Sequence, residues 1–242
     1  MHFKTMKKNI TILSQFFIIL LISGNSLTAD EQYSISSYSS SVADQDEDVK
    51  RNIHITAGRI NGILIKSGSV FSFNETVGEG SIANGYVNGR VLYTDGSRME
   101  PGGGICQVSS TLFNALLQAG CVIIERHRHH QPVTYVPLGL DATIKYGKKD
   151  LKIKNPNNFD LILYADMNDK NLTISIKSSS KNNFTWEIIT EEDETAVPVD
   201  NNISGRIRQG ITIFVYRKKF SGEKLIETHL LYKDYYPPVR YK

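Results

Sequence analysis

Cysteine is scarce in this chain: 242 residues contain two, with one tryptophan and seven prolines. Two cysteines exclude a disulfide-stapled scaffold. Charge of one sign is missing as well. The formal net charge is +3, and Lys4, Lys7 and Lys8 supply it from a stretch before residue 30 that has no acid. The remainder carries 28 − 3 = 25 basic and 25 acidic residues, so it is neutral. A neutral chain gives no ground for a nucleic-acid partner or for a wholesale charge-driven one. Several motifs are absent too. No GK[ST] follows the glycine run, so a nucleotide phosphate is not expected. No HExxH or CxxC occurs, so no metal and no other cofactor is expected. Zinc would have to use histidines spaced by two, with Cys106 as a third ligand.

Long apolar runs are missing except near the start. Ile10 to Ile22 is apolar and follows the three lysines, and "SGNSLTADEQ" comes next. A basic region, a short apolar core and small residues read as a secretory leader over residues 1–29. The run is shorter than the roughly 20 residues of a membrane span. Leu27, three before a cut after Ala29, departs from the small-residue rule, which keeps an uncleaved anchor as the alternative. An exported protein, extracellular or in the cell envelope, is the expectation.

What remains is enough for one domain. Residues 30–46 are polar and serine-rich and read as a flexible linker. Residues 47–180 read as the core, and 181–242 as a β-rich part of the same domain. Val49, Ile53, Ala57, Ile60 and Ile63 recur at helical spacing, as do Ile105, Val108, Leu112, Leu116 and Ala119. "GSIANGYVNGRVLYTDGSRMEPGGG" reads as a long surface loop. "CVIIERHRHHQPVTYVP", "DATIKYG" and "NLTISIKS" read as strands, and the tail as a hairpin around Ser221-Gly222. The fold class is α+β, with two main helices packed on antiparallel sheet.

Chemistry concentrates where "PGGGICQVSS" opens the second helix. Cys106 falls in its first turn, where unpaired N–H groups and the helix dipole favour a thiolate. Cys121 lies at the far end, about 20 Å along the helix, beyond the reach of a disulfide. Two free thiols are expected. A cysteine nucleophile needs a base. Strand alternation puts His127 and His129 on one face, with Asp141 on the next segment to orient a histidine. Gly102, Gly103 and Gly104 would let a carbonyl approach the backbone. Gln107, Ser110, Arg126 and Tyr135 are candidates for holding substrate. The bland alternatives stand beside these. Cys106 could be a small packed residue, "ERHRHH" a solvated strand, and Tyr135 a cross-strand packing residue. The glycine loop could also bind an anion without any reaction.

The segments "SFNETVG", Gly85-Tyr86, "GGGICQVSSTLFNALLQAG", "ERHRHHQPVTYVPLGLDATI" and "DLKIKN" resemble, in order, the signature segments of the VanW-like family. "YRKKFSGEKLIETHLLYKDYYPP" resembles the end of that domain. The resemblance runs from about Val49 to Pro238. It implies a bacterial, exported protein of a Gram-positive cell envelope, with peptidoglycan or its precursors as partner and a link to vancomycin-resistance accessory genes. It assigns no reaction. The order of cysteine on a helix start, histidine, then aspartate also resembles transglutaminase-like cysteine enzymes, although the Cys-to-His interval is shorter. A cysteine-dependent peptidase or transpeptidase is one expectation. A non-catalytic wall-binding module is the other.

Overall fold

The computed structural model describes residues 32–93, 96–193, 206–208 and 210–241. The expected leader, residues 1–29, lies outside them. Helix α1 (Glu47–Ile60) buries Val49, Asn52, Ile53, Thr56, Ala57 and Ile60, the face set by the three-four spacing. It ends before Ile63, which was expected within it. Helix α2 (Phe73–Val77) is one short turn capped by Ser72. Helix α3 (Ile105–Gln118) is buried nearly all round, at Ile105 and at every position from Gln107 to Leu117. Its apolar stripe was legible in the sequence, but its polar face is buried as well.

Among the described residues, fourteen strands accompany the helices, and all of their pairings are antiparallel. A four-stranded sheet orders β1 (Tyr33–Ser41), β9 (Asn171–Ser178), β8 (Leu161–Met167) and β2 (Leu64–Ile65). A second orders β3 (Val70–Ser72), β7 (Lys152–Lys154) and β6 (Val122–Glu125). Strands β4 (Asn88–Tyr93) and β5 (Gly96–Pro101) form a hairpin. Strands β10 (Thr185–Asp193), β12 (Ile211–Ser221) and β13 (Lys224–Tyr236) form a third sheet, whose β12–β13 hairpin turns where expected. Strands β11 (Arg206–Arg208) and β14 (Val239–Tyr241) pair separately. This is an α+β architecture. α3 packs against β1 and β9 on one side, against α1, and against β10.

Three expectations are corrected. The serine-rich segment expected as a linker over 30–46 contains β1, registered along β9 from Tyr33↔Ser178 to Ser41↔Asn171. Its serines are not solvent-loving filler. Ser40 Oγ meets Thr111 Oγ1 of α3 at 2.8 Å, and Ser36 Oγ donates to the Ala115 carbonyl at 2.7 Å. The expected loop before the glycine run contains the β4–β5 hairpin. Finally, the strand expected from Cys121 to Pro137 stops at Glu125, and residues 141–147 make only an isolated bridge, Lys145↔Lys149.

Candidate active site

The segment from Arg126 to Ile144 has no strand partner, so side chains hold it. Asn114 Nδ2 of α3 donates to the Leu140 carbonyl at 2.7 Å. Ser109 Oγ donates to the Ala142 carbonyl at 2.5 Å, and Ala142 N donates to Ser110 Oγ at 2.9 Å. Three buried polar residues of one helix thus fix the chain on both sides of Asp141. Cys106, the second residue of the same helix, sits one to two turns away. Its sulfur lies 3.6 Å from Thr143 Oγ1 and 3.7 Å from the Ile144 carbonyl.

Asp141 in turn fixes His129. Its Oδ2 accepts from His129 N at 2.5 Å and faces His129 Nδ1 at 2.6 Å. The imidazole is left with Nε2, and interaction between His129 and the Cys106 thiol favours the charged form of each. Tyr135 Oη lies 3.5 Å from the same Nε2, edge-on to the ring. Asp141 Oδ1 accepts from Tyr236 Oη at 2.8 Å and from Arg126 Nη2 at 3.1 Å.

Electrostatics follow from these contacts. Burial pushes the Cys106 thiol up, but its interactions with His129, with the Ile144 backbone and with Thr143 outweigh this, and the net shift is downward. Burial pushes the His129 imidazole down. Asp141 and Cys106 reverse that and raise it to about 9. Asp141 is lowered: burial acts against ionisation, and His129 and Arg126 overcome it. Tyr135 is raised well above its ordinary value, first by burial and then by Cys106 and Asp141, so it remains a neutral phenol. Both shifts run in the direction of a thiolate–imidazolium pair held by a carboxylate, the activated form of a cysteine nucleophile.

The structure gathers Cys106, His129, Asp141, Tyr135 and Ser110 here and places the other candidates elsewhere. His127 does not share a face with His129. Strand β6 has already ended, and His127 Nε2 pairs with Glu125 Oε1 at 3.0 Å. Gln107 turns towards β1, donating to Ser40 Oγ at 3.1 Å and to the Ser41 carbonyl at 2.7 Å. Arg126 is buried behind Asp141, bridging it to Asp234, whose Oδ2 lies 2.6 Å from Nη1. The glycines serve packing. A Cβ on Gly103 would stand 2.5 Å from the Gly89 carbonyl carbon. Gly104, at φ 106°, caps α3 against Val49 and Ile53. Asn52 of α1 clamps this loop, donating to the Val87 and Gly103 carbonyls at 2.9 and 3.0 Å.

Thr143, Asn114, Asp234 and Tyr236 were not read as site residues from the sequence. Tyr236 and Asp234 reach Asp141 and Arg126 across about a hundred positions, and no local pattern announces such a contact. Among the described residues, no cluster of three or more His, Cys, Asp or Glu side chains is placed to hold a metal ion. Also among them, no helix is long and apolar enough to cross a membrane.

The family model described as "VanW like protein" matches residues 48–177, more than half of the chain. The chain belongs to the VanW-like family. The chain is 37% identical over 128 residues to "Uncharacterized protein YoaR" of Bacillus subtilis (strain 168), covering 53% of this chain and 42% of that one. It is 31% identical over 126 residues to "Vancomycin B-type resistance protein VanW" of Enterococcus faecalis (strain ATCC 700802 / V583), covering 50% and 46%. The chain thus spans less than half the length of either VanW-like relative. No solved structure matches it significantly. The VanW-like region contains Cys106, His129 and Asp141. Asp234 and Tyr236, which brace Asp141, lie beyond it.

Proposed function

We propose that this VanW-like protein is a cysteine-dependent acyl-transfer enzyme, a peptidase or transpeptidase, whose substrate is a peptide of peptidoglycan or of its precursors. The observation that carries the reaction class is the order Cys106, His129, Asp141, with the thiol lowered and the imidazole raised to about 9. In the forward step the Cys106 thiolate attacks the amide carbonyl, forming a C–S bond and an oxyanion. The His129 imidazolium gives its Nε2 proton to the departing amine, and the C–N bond breaks to leave a thioester. Water, or the amine of a second peptide, loses its proton to His129 as it attacks. The C–S bond then breaks and the thiolate returns. Asp141 holds Nδ1 throughout, which keeps Nε2 directed at the sulfur. The neutral Tyr135 phenol can donate to the oxyanion. The same chain order supports a transglutaminase-like arrangement.

The relative named for vancomycin resistance points towards the cell wall. The basic and then apolar N-terminal stretch supports export to the envelope. The test is incubation of the protein and its Cys106→Ala variant with purified muropeptides, with products read by mass. New cross-linked or trimmed species that vanish in the variant are expected. Binding without any change of mass would replace the enzyme with a wall-binding module.

A further inference from the structure

We propose that a hollow on the far side of Asp141 from Cys106 binds an anionic oxyacid group, a carboxylate or a phosphate. This deepens the proposed function by giving the site a second anchor, and it rests on that reading only for the link to substrate. The hollow has a volume of about 360 Å³ and is lined by Arg126, His127, Arg128, His130, Lys149 and Asp234. That size suits a small ligand or one end of a larger one. Its one acid is already committed, because Asp234 Oδ2 sits 2.6 Å from Arg126 Nη1. Among the described residues, no carboxylate forms an ion pair with Arg128 or Lys149. Arg128 and Lys149 are therefore left facing the hollow, with His130 beside them and His127 held by Glu125.

Arg128 is also held in place before any ligand arrives. Its Nη1 donates to the His129 carbonyl at 2.7 Å and lies 3.4 Å from that of His130, and its guanidinium stacks 5.1 Å from the centre of the Tyr236 ring. A restrained guanidinium loses little freedom on binding and presents a planar fork that matches carboxylate and phosphate oxygens. The glycine loop, where the sequence suggested an anion, is instead packed against Gly80, Gly89, Val49 and Ile53. A chain of charged contacts joins the hollow to the reaction site: Arg126 to Asp141, Asp141 to His129, His129 to Cys106.

The experiment is an NMR titration of the full chain at pH 7. The His127 and His130 imidazole signals are followed as sodium phosphate or sodium acetate replaces chloride at constant ionic strength. Saturable shifts are expected, with the dissociation constant rising at least tenfold in Arg128→Ala and in Lys149→Gln and unchanged in Cys106→Ala. Lys149 is exposed, so its variant serves if Arg128→Ala fails to fold. Displacement of phosphate by muropeptides carrying free carboxylates, but not by amidated ones, would identify substrate as the source. Binding of phosphate without such displacement would identify a free oxyanion. Linear shifts, or shifts that both variants leave unchanged, overturn the proposal. Phosphate that saturates in a protein without muropeptide turnover would leave this site standing and remove the enzyme.

Discussion

At the scale of the residue, the two cysteines are opposites. Cys106 is half-buried against a histidine, and its thiol is lowered. Cys121 is 1% exposed, and burial pushes its thiol up to about 12. Native protein treated with iodoacetamide at pH 7 is expected to take one label, on Cys106, and to take the second only after denaturation. Two labels on native protein, or none, would contradict the assignment. The pair also makes a distinctive pH signature. A raised His129 stabilises the fold fully below about 6.5, and that contribution fades as pH rises towards about 9. A lowered Cys106 works the other way, adding stability above its ordinary value near 9 and losing it as pH falls through its folded value. Where the ranges overlap the two slopes cancel, because the pair moves a proton between partners rather than releasing it. Wild-type urea midpoints should therefore change little from this pair in the overlap below pH 9. Cys106→Ala, which keeps only the Asp141 support, should lose stability as pH rises above 6.5. An equally flat variant would mean that Asp141 does not hold a charged imidazole. Asp141→Asn is expected to lower turnover by on the order of 10²–10⁴-fold. It should also cost about 1–3 kcal/mol in stability, because Arg126 loses one of its two buried carboxylates and keeps Asp234.

At the scale of the element, α3 explains both what the sequence disclosed and what it concealed. Its apolar period was plain, and so was the cysteine in its first turn. Of its polar residues, Gln107 and Ser110 read as candidates for holding substrate. They and their polar neighbours are buried instead, because Gln107 and Thr111 bond β1 while Ser109, Ser110 and Asn114 bond the segment around Asp141. For the same reason, Cys121–Pro137 and Asp141–Gly147 read as two strands. Their Val, Tyr and Ile residues suit a sheet, but much of the backbone from Arg126 to Ile144 bonds to side chains of α3, of β13 and of its own Arg126, which periodicity does not register. β1 was missed for the converse reason. A run of serines carries no apolar alternation, although hydroxyl pairs such as Ser39–Thr173 at 2.7 Å register it along β9. The glycine run yields a stability test. In Gly103→Ala the new Cβ would meet the Gly89 carbonyl carbon at 2.5 Å and its oxygen at 2.7 Å. Such overpacking costs about 1–3 kcal/mol, or roughly 2–12 °C in melting temperature for a domain of this size. If the loop served ligand approach instead, the variant would melt like wild type and lose only activity.

At the scale of the whole molecule, the candidate catalytic residues and their support come from different parts of the chain. Cys106, His129 and Asp141 fall within the family-matched residues 48–177, and the sequence pointed to all three. The β12–β13 hairpin lies beyond that match. It was legible as a hairpin but not as part of the site. Its Tyr236 is 1% exposed, donates to Asp141 Oδ1 at 2.8 Å and accepts from Gly139 N at 3.0 Å. Tyr232 adds a bond to the Gly139 carbonyl at 2.8 Å, and Asp234 holds Arg126. Val136, Leu140, Ile213, Val215 and Tyr236 form a small core of their own beneath these bonds. The hairpin therefore acts as a brace that sets the position of Asp141, and Tyr236 is a positioning residue rather than a catalytic one. Tyr236→Phe keeps the ring in that core and removes only the hydroxyl. It leaves Gly139 N without a partner and Asp141 with one donor fewer, at a cost of about 1–3 kcal/mol. A loss of packing alone would leave the His129 titration where it is. A loss of positioning should move the His129 midpoint from about 9 and cut kcat with little change in KM. Leu230→Ser, on the same hairpin but 51% exposed, is the control and should alter neither. If Tyr236→Phe melts lower yet titrates and turns over like wild type, the hairpin is a structural appendage and Asp141 is set by α3 alone.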